Sequence, residues 1–212
     1  MAERRKFRRE GEERRRQDLI EATLDCVAEH GIEGATLRAI AVRAGVTAGL
    51  IRHYFPAKDD LLQAAYATIV ERMTQQALAS LHATERTPAA RLAAFVAANL
   101  TPPVVDARVF SLWAGFIGRA HADPALSAVH REGYIGFRDR LKHLVAETLA
   151  AAGRPTEAGD LRRHAIAVNA IIDGLWIEGC MAGDLFETGE LAAIGIASVG
   201  RVLGIDIEGG SA

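Results

Sequence analysis

Cysteine is scarce in this sequence. Only two occur among 212 residues, and Cys26 and Cys180 lie far apart within apolar, helix-like patterns. Their separation matches no metal-ligand spacing, so we expect two buried thiols in a reducing cytoplasm. Four histidines of the C-terminal part also lack the spacing of metal ligands on one helix. These are His121, His130, His143 and His164. The sequence therefore predicts no metal site and no cofactor.

Long uninterrupted apolar runs are also missing. No stretch of about 18 uncharged apolar residues is present, which predicts that the chain has no membrane span. The charged N-terminus is not followed by an apolar segment, so it lacks the pattern of a signal peptide. These two absences favour a cytoplasmic protein.

The common catalytic motifs are absent as well. The chain contains no G-x-S-x-G elbow, no glycine-rich nucleotide loop and no H-E-x-x-H pair. We therefore expect a protein that is not an enzyme. As a separate point, the sequence shows no sustained two-residue alternation that would indicate a β-strand, and no internal repeat.

Charge is balanced overall but unevenly distributed. The formal net charge is −2, whereas residues 1–16 carry eight basic and four acidic side chains and residues 61–212 carry more acidic than basic ones. A basic excess at one end suits an arm that contacts nucleic-acid phosphates. A solvated, disordered tail would have the same composition, and both interpretations remain open at this point.

Apolar residues make up 50% of the chain, and they recur with helical spacing throughout. Glycines and prolines separate the resulting segments, as helix ends require. The sequence predicts an all-α fold of about nine helices, at 14–31, 37–44, 48–55, 58–83, 88–100, 104–120, 124–152, 157–182 and 188–203. The predicted domains are a basic disordered arm (1–13), a short N-terminal helical module (14–57) and a larger helical domain (58–205), whose roles depend on the motifs below. The tail 209–212 is expected to be disordered.

The second and third helices are short and close together. Thr36 and Thr47 each precede one of them and can cap its free amides, and Gly45 provides the turn between them. Such a pair is typical of a helix-turn-helix, whose second helix enters the major groove of DNA. An ordinary helical corner would give a similar pattern.

Several side chains of this segment are candidates for DNA contacts. The third helix exposes Ala48, Gly49, Arg52 and His53 on the face that suits the groove, and Arg52 can bind a guanine or a phosphate. The remaining candidates lie at helix starts or flank the backbone of the DNA. The full predicted set is Thr36, Arg38, Thr47, Ala48, Gly49, Arg52, His53, Tyr54 and Lys58.

The sequence GVTAGLIRHYFPAK at residues 45–58, followed by Leu61 and Leu62, resembles the signature of the tetracycline-repressor (TetR) family. The resemblance covers about residues 14–62. It implies an all-helical homodimer in which the first three helices bind a palindromic operator and the other helices bind an effector and dimerise. Members of the family usually repress transcription until the effector binds. Many of them have tyrosine where this chain has Arg52, so the family pattern does not define the role of Arg52.

The C-terminal part has a narrower resemblance. The segments SLWAGF (111–116) and IDGLWIEG (172–179) are similar to those of the choline-responsive repressors of glycine-betaine synthesis, the BetI subgroup. Aromatic faces attract quaternary ammonium groups, and a carboxylate nearby adds charge complementarity. The predicted effector site is therefore Phe110, Trp113, Phe116, Asp173, Trp176 and Glu178, for a small cation such as choline. A plain hydrophobic core is the alternative interpretation of these aromatics.

The last two helices carry wide apolar faces and several small residues. Two such helices per chain predict a four-helix interface in a homodimer. Two other functions stay open at the level of the sequence. One is a regulator of an efflux pump that senses hydrophobic drugs or lipids, and the other is a helical ligand-binding protein without DNA binding.

Overall fold

The fold is described by a computed structural model for residues 2–82, 87–154 and 156–207, with side chains from residue 11 onward apart from His82. Within these ranges the chain is helical and contains no strand, so the prediction of an all-α fold is confirmed. The predicted tail 209–212, the end of the fourth predicted helix at residue 83 and the predicted helix break at Pro155 lie outside the described residues. The described α-helices are α1 (Ala2–Gly34), α2 (Leu37–Arg43), α3 (Ala48–Tyr54), α4 (Lys58–Ala79), α5 (Pro88–Asn99), α6 (Ala107–Ala120), α7 (Pro124–Ala151), α8 (Ala158–Ala182) and α9 (Glu190–Leu203).

The first helix is longer than its apolar pattern predicts. It begins at Ala2, whereas we expected a disordered arm up to residue 13. Residues 2–10 consist mainly of arginine, glutamate, lysine and alanine, which favour helix even without an apolar stripe. At its other end the helix changes direction at Gly31, whose φ of 70° is in the left-handed region that glycine adopts without strain.

Two other helices begin later than predicted. Helix α6 begins at Ala107 because Asp106 caps it, with its carboxylate accepting from the amides of Arg108 and Val109 at 2.9 Å each. Helix α9 begins at Glu190, after Gly189 with a φ of 84°. In both places a local turn, which the apolar periodicity does not register, sets the start of the helix.

The first compact unit comprises the described residues up to Val70 together with Ser111–His130. It is larger than the predicted 14–57 module, because it also includes the first half of α4 and most of α6. The stripe predicted on α1 forms its core, since Leu19, Ile20 and Leu24 are buried. Tyr66 of α4 and Phe116 of α6 are also fully buried and stack with their ring centroids 4.9 Å apart.

The second compact unit comprises Glu71–Phe110 and the described residues from Arg131 onward. Helix α9 packs against both α5 and α8. Gly195 allows the close approach to α5, because a Cβ atom there would lie 2.3 Å from the Leu100 Cδ1 atom. The stretch Ala158–Leu185 is long and apolar enough for a membrane span by length and composition alone. Its buried stripe packs on α5 and α9, so we interpret α8 as a core helix.

Candidate DNA interface and effector site

The turn between α2 and α3 has the local chemistry that the sequence predicts. The Thr36 hydroxyl accepts from the Ala39 amide at 3.2 Å, and the Thr47 hydroxyl accepts from the Leu50 amide at 3.2 Å. Each threonine therefore caps the helix that follows it. Gly45 has a φ of 63°, which permits the tight turn that joins the two helices.

The two helices pack through few side chains. Ile40 and Ala41 of α2 and Ile51 of α3 are buried, and the Val46 amide donates to the Ala41 carbonyl at 2.9 Å. Burial of an isoleucine side chain contributes about 1.5–3 kcal/mol to folding. Burial of Ile40 and Ile51 therefore stabilises the packing of α2 against α3, and the side chains on the outer face of α3 are not needed for that packing.

The outer face of α3 is exposed in the predicted manner. Gly49, Arg52 and His53 are exposed, and Ala48 and Tyr54 are half-buried. The His53 and Tyr54 rings meet edge to face with their centroids 5.2 Å apart. Arg52 forms no ion pair with any residue whose side chain is described. Its guanidinium therefore projects from the helix without an acidic partner from that part of the chain.

The two candidate cations that flank α3 differ in their surroundings. Arg38 is exposed in the first turn of α2. Lys58 is half-buried, and its Nζ donates to the Ile32 carbonyl at 3.2 Å. The lysine thus supports the end of α1, which its position in the sequence did not indicate. An ammonium has three donors, so this bond leaves Lys58 able to contact a phosphate as well.

Two arginines form ion pairs between helices of the first compact unit. Arg43 of α2 contacts Asp25 at 3.5 Å and also pairs with Glu29, both on α1. Arg119 of α6 contacts Glu33 at 3.1 Å and Asp59 at 3.5 Å. Neither arginine was predicted as a functional residue from the sequence. The only signal for the first is the four-residue spacing of Asp25 and Glu29, which places both on one face of α1.

The candidate effector residues do not form one cluster within a unit. In the second compact unit, Phe110 and Trp176 meet edge to face with centroids 5.5 Å apart. Trp176 is buried, and its Nε1 donates to the Val104 carbonyl at 2.9 Å. In the first compact unit, Phe116 stacks on Tyr66, and Trp113 is half-buried. The shared helical face of Phe110, Trp113 and Phe116 is thus divided between the two units.

The two predicted carboxylates, Asp173 and Glu178, both belong to exposed residues. Asp173 accepts from the Asn169 side-chain amide at 2.6 Å. Desolvation by neighbouring groups raises the pKa of Asp173 to about 6, and the bond from Asn169 opposes this rise. The same amide donates to the Tyr134 hydroxyl oxygen at 3.2 Å. Asn169 and Tyr134 were not predicted from the sequence, because they lie on different helices and match no motif.

Two family models match successive parts of the chain. Residues 19–65 match the family model of bacterial regulatory proteins of the tetR family. Residues 88–204 match the model of the C-terminal part of BetI-type transcriptional repressors. The first match contains α2, α3 and both capping threonines, and the second contains α5–α9. Proteins of this family are transcriptional regulators that bind operator DNA and usually form dimers, and they are not enzymes.

Known regulators are similar to this protein over most of the chain. The HTH-type transcriptional regulator BetI of Burkholderia thailandensis is 36% identical over 82% of this chain and 86% of its own. A transcriptional regulator from Pseudomonas aeruginosa PAO1 of known structure is 29% identical, with a TM-score of 0.83 over 94% of this chain and 95% of its own. A regulator from Saccharomonospora viridis, solved in complex with choline, shares the fold at 20% identity, with a TM-score of 0.70 over 85% of this chain and 92% of its own. The chain therefore belongs to the TetR family of transcriptional regulators and has a C-terminal domain of the BetI type.

Proposed function

We propose that this regulator is a repressor that binds a palindromic operator through α3 and releases it when a small cationic effector binds. The observation that carries the proposal is the outer face of α3, where Arg52 and His53 are exposed on a helix anchored by Ile51 from behind. An exposed arginine can bind a guanine edge bidentately or pair with a phosphate. Because the regulator acts on DNA, we place it in the cytoplasm.

The start of each short helix supports the proposed phosphate contacts. Thr36 and Thr47 are exposed residues, and each caps its helix by accepting from an amide of the first turn. Helix N-termini attract anions because their amides are not used within the helix. Arg38 and Lys58 add positive charge on either side of α3. We assign phosphate contacts to these four residues and to Tyr54, and groove contacts to Ala48, Gly49, Arg52 and His53.

A homodimer would place two copies of α3 on successive turns of the operator, about 34–36 Å apart. We propose that α8 and α9 form the dimer interface. Several large apolar side chains of these helices and of the turn after α8 are exposed in the single chain. They are Met181, Leu185, Ile194 and Val202. Association would remove them from water, which is the main favourable term in most protein–protein contacts.

For the effector we propose a small ammonium compound of the choline type, bound by Phe110, Asp173 and Trp176. The edge-to-face ring pair and the carboxylate all belong to the second compact unit. Each aromatic face contributes about 0.5–2 kcal/mol to the binding of a cation, more where water is excluded. Trp113 and Phe116, which were also predicted for this site, belong to the first compact unit, and the proposal does not use them or the predicted Glu178.

Release requires that the effector bind one conformation of the protein better than another. A coupling of about 1–3 kcal/mol would weaken operator binding by about 5–150-fold. We propose α4 as the connecting element, because it begins at Lys58 beside the DNA-binding helices and continues into the second compact unit. A conformational change at the effector site would then be transmitted through α4 to α3.

Operator binding is tested by an Arg52→Ala variant in gel-shift titrations against DNA from the upstream region of the gene and its neighbours. We expect at least about a tenfold loss of affinity, because one bidentate base contact is worth about 1–3 kcal/mol. Arg140→Ala is the matched control, since Arg140 is an exposed arginine of α7. Unchanged affinity of Arg52→Ala would contradict the docking of α3. If the affinity of the wild type for DNA does not fall steeply as the salt concentration rises, the result would favour the alternative of a ligand-binding protein that does not act on DNA.

The effector proposal is tested by calorimetry with choline and betaine aldehyde. Binding of either, together with weaker operator binding in its presence, is the expected result. If neither binds at millimolar concentration, the effector is not of this class. A sensor of hydrophobic drugs would instead bind neutral aromatic compounds, which gain nothing from the Asp173 carboxylate.

A further inference from the structure

We infer that Asn169 makes the effector site selective for an ammonium compound that also carries a hydroxyl group. The inference rests on the effector site proposed above and adds a specificity-determining residue to it. Asn169 lies on α8, in the same buried stripe as Trp176. It was not among the residues that the sequence indicated.

The orientation of the Asn169 side chain follows from its partners. Its Nδ2 atom donates to Asp173 Oδ2 at 2.6 Å and to the Tyr134 hydroxyl oxygen at 3.2 Å. An ionised carboxylate can only accept hydrogen bonds, so the amide nitrogen must face Asp173. The carbonyl oxygen, Oδ1, therefore faces away from the carboxylate.

This carbonyl oxygen is the unusual feature of the site. Asn169 is only 1% exposed, and its Oδ1 accepts no hydrogen bond from any residue in the described part of the chain. Buried polar atoms nearly always have a partner, because an unpaired one has lost its hydrogen bonds to water. Asn169 Oδ1 therefore lacks a hydrogen-bond donor, and the hydroxyl group of a ligand can supply one.

The spacing along α8 fits a short bifunctional ligand. Asn169, Asp173 and Trp176 follow one another at intervals of four and three residues, so they lie along one side of the helix over about 10 Å. An ammonium group beside Asp173 and the Phe110–Trp176 pair leaves a hydroxyl two carbons away within reach of Asn169. A carboxylate in place of the hydroxyl would face the Asp173 charge and would lack a donor.

Burial of Oδ1 adds a condition on binding. The hydroxyl reaches this atom only if the side chains that enclose it move when the ligand enters. The hydrogen bond therefore forms in the bound conformation and not in the conformation described above. A contact made in one conformation alone gives a ligand the differential affinity that release of the operator requires.

The test compares two ligands on the full-length protein by calorimetry. Choline carries the hydroxyl donor, and its methyl ether, (2-methoxyethyl)trimethylammonium, keeps the cation and lacks the donor. We expect the ether to bind at least about tenfold more weakly to the wild type, since leaving a buried acceptor unpaired has a cost of this order. Equal affinities would overturn the role of Asn169 and leave the cationic effector site intact. Binding of neither ligand would contradict the effector proposal itself, and the inference would fail with it.

An Asn169→Leu variant locates the selectivity. We expect it to bind choline and the ether with affinities within about twofold of each other, because the acceptor is gone. Trp176→Phe is the control, and it should weaken both ligands by the same factor. If Asn169→Leu keeps the wild-type preference for choline, the hydroxyl is recognised elsewhere and the inference is wrong. If Asn169→Leu does not fold by circular dichroism, the comparison of the two ligands on the wild type still decides the question.

Discussion

Asp173 is a carboxylate in a partly desolvated position, and this makes the proposed effector site sensitive to pH. Desolvation raises its pKa to about 6 from an ordinary value of 3.8. The carboxylate is therefore charged at neutral pH but loses its charge at mildly acidic pH. A cation that depends on this charge will bind less well as the pH falls through 6.

We predict that affinity for choline, measured by calorimetry, is up to about tenfold weaker at pH 5 than at pH 8, because about one molecule in ten retains the charge at pH 5. Asp173→Asn should bind weakly at both pH values and show a flat profile over this range. A wild-type profile as flat as that of the variant would show that Asp173 does not face the ligand.

The same shift has a defined effect on folding. A carboxyl group whose pKa is raised in the folded state favours folding when it is protonated. This contribution is fully present below pH 4 and is lost as the pH rises through 6. Asp173→Asn should therefore unfold at a higher urea concentration than the wild type at pH 7.5, with the difference disappearing near pH 4.

At the scale of an element, the end of α9 shows how one glycine permits a chain reversal. Gly204 ends the helix with a φ of 65°, and the Ile205 amide donates back to the Gly200 carbonyl at 3.1 Å. This is the bonding pattern of a Schellman cap. Gly200 lies under the returning chain, and a Cβ atom there would lie 2.9 Å from the Ile205 carbonyl oxygen.

We predict that Gly200→Ala lowers the free energy of unfolding by about 1–3 kcal/mol, because backbone atoms must move to relieve the overlap. Urea denaturation measures the change. Gly118→Ala on α6 is the control, since a Cβ atom there would meet no described atom within 4 Å. Alanine favours helix over glycine, so the control should be stabilised by up to about 1 kcal/mol. Equal behaviour of the two variants would contradict the described packing at Gly200.

The helices and the helix-turn-helix could be predicted because their signals are local. The stripe on α1 and the capping threonines are visible as spacing and residue type, and the structure contains both. The start of α1 could not be found, because a charged helix without an apolar face has no periodic signal. Arg43 and Asn169 were missed for another reason, since their roles depend on acidic or hydroxyl partners that only the fold brings near. The aromatics of α6 shared a helical face as predicted, but a shared face does not specify which neighbours each ring meets.

At the scale of the whole molecule, the proposed dimer accounts for apolar side chains that would otherwise face water. Ile194 and Val202 of α9 are 39% and 42% exposed, and Met181 at the end of α8 is 71% exposed. Large apolar side chains grouped on neighbouring helices often mark a contact between proteins. In the proposed function the interface also matters, since a palindromic operator would need two copies of α3.

We predict that the double variant Ile194→Glu, Val202→Glu sediments as a monomer at micromolar concentration, whereas the wild type sediments as a dimer. Burial of two charges without partners would remove the gain from apolar contact. Val42→Glu is the control for an exposed apolar residue, because Val42 lies on α2 and is 77% exposed. The proposed interface would be wrong if the double variant remained dimeric.

The composition of the first compact unit has a consequence for making chimeric regulators. Ser111–His130 belongs to this unit, although some forty residues of the second unit separate it from Val70 along the chain. A single crossover after α3 or within α4 would therefore combine the operator-binding helices of one relative with the α6 of another. Arg119 would then meet a foreign residue at position 33, and also at position 59 where the crossover lies within α4 beyond that residue; this chain has acidic partners at both positions. A chimera that keeps its response to effector should need either two crossovers that carry Ser111–His130 along or matched charges at these three positions.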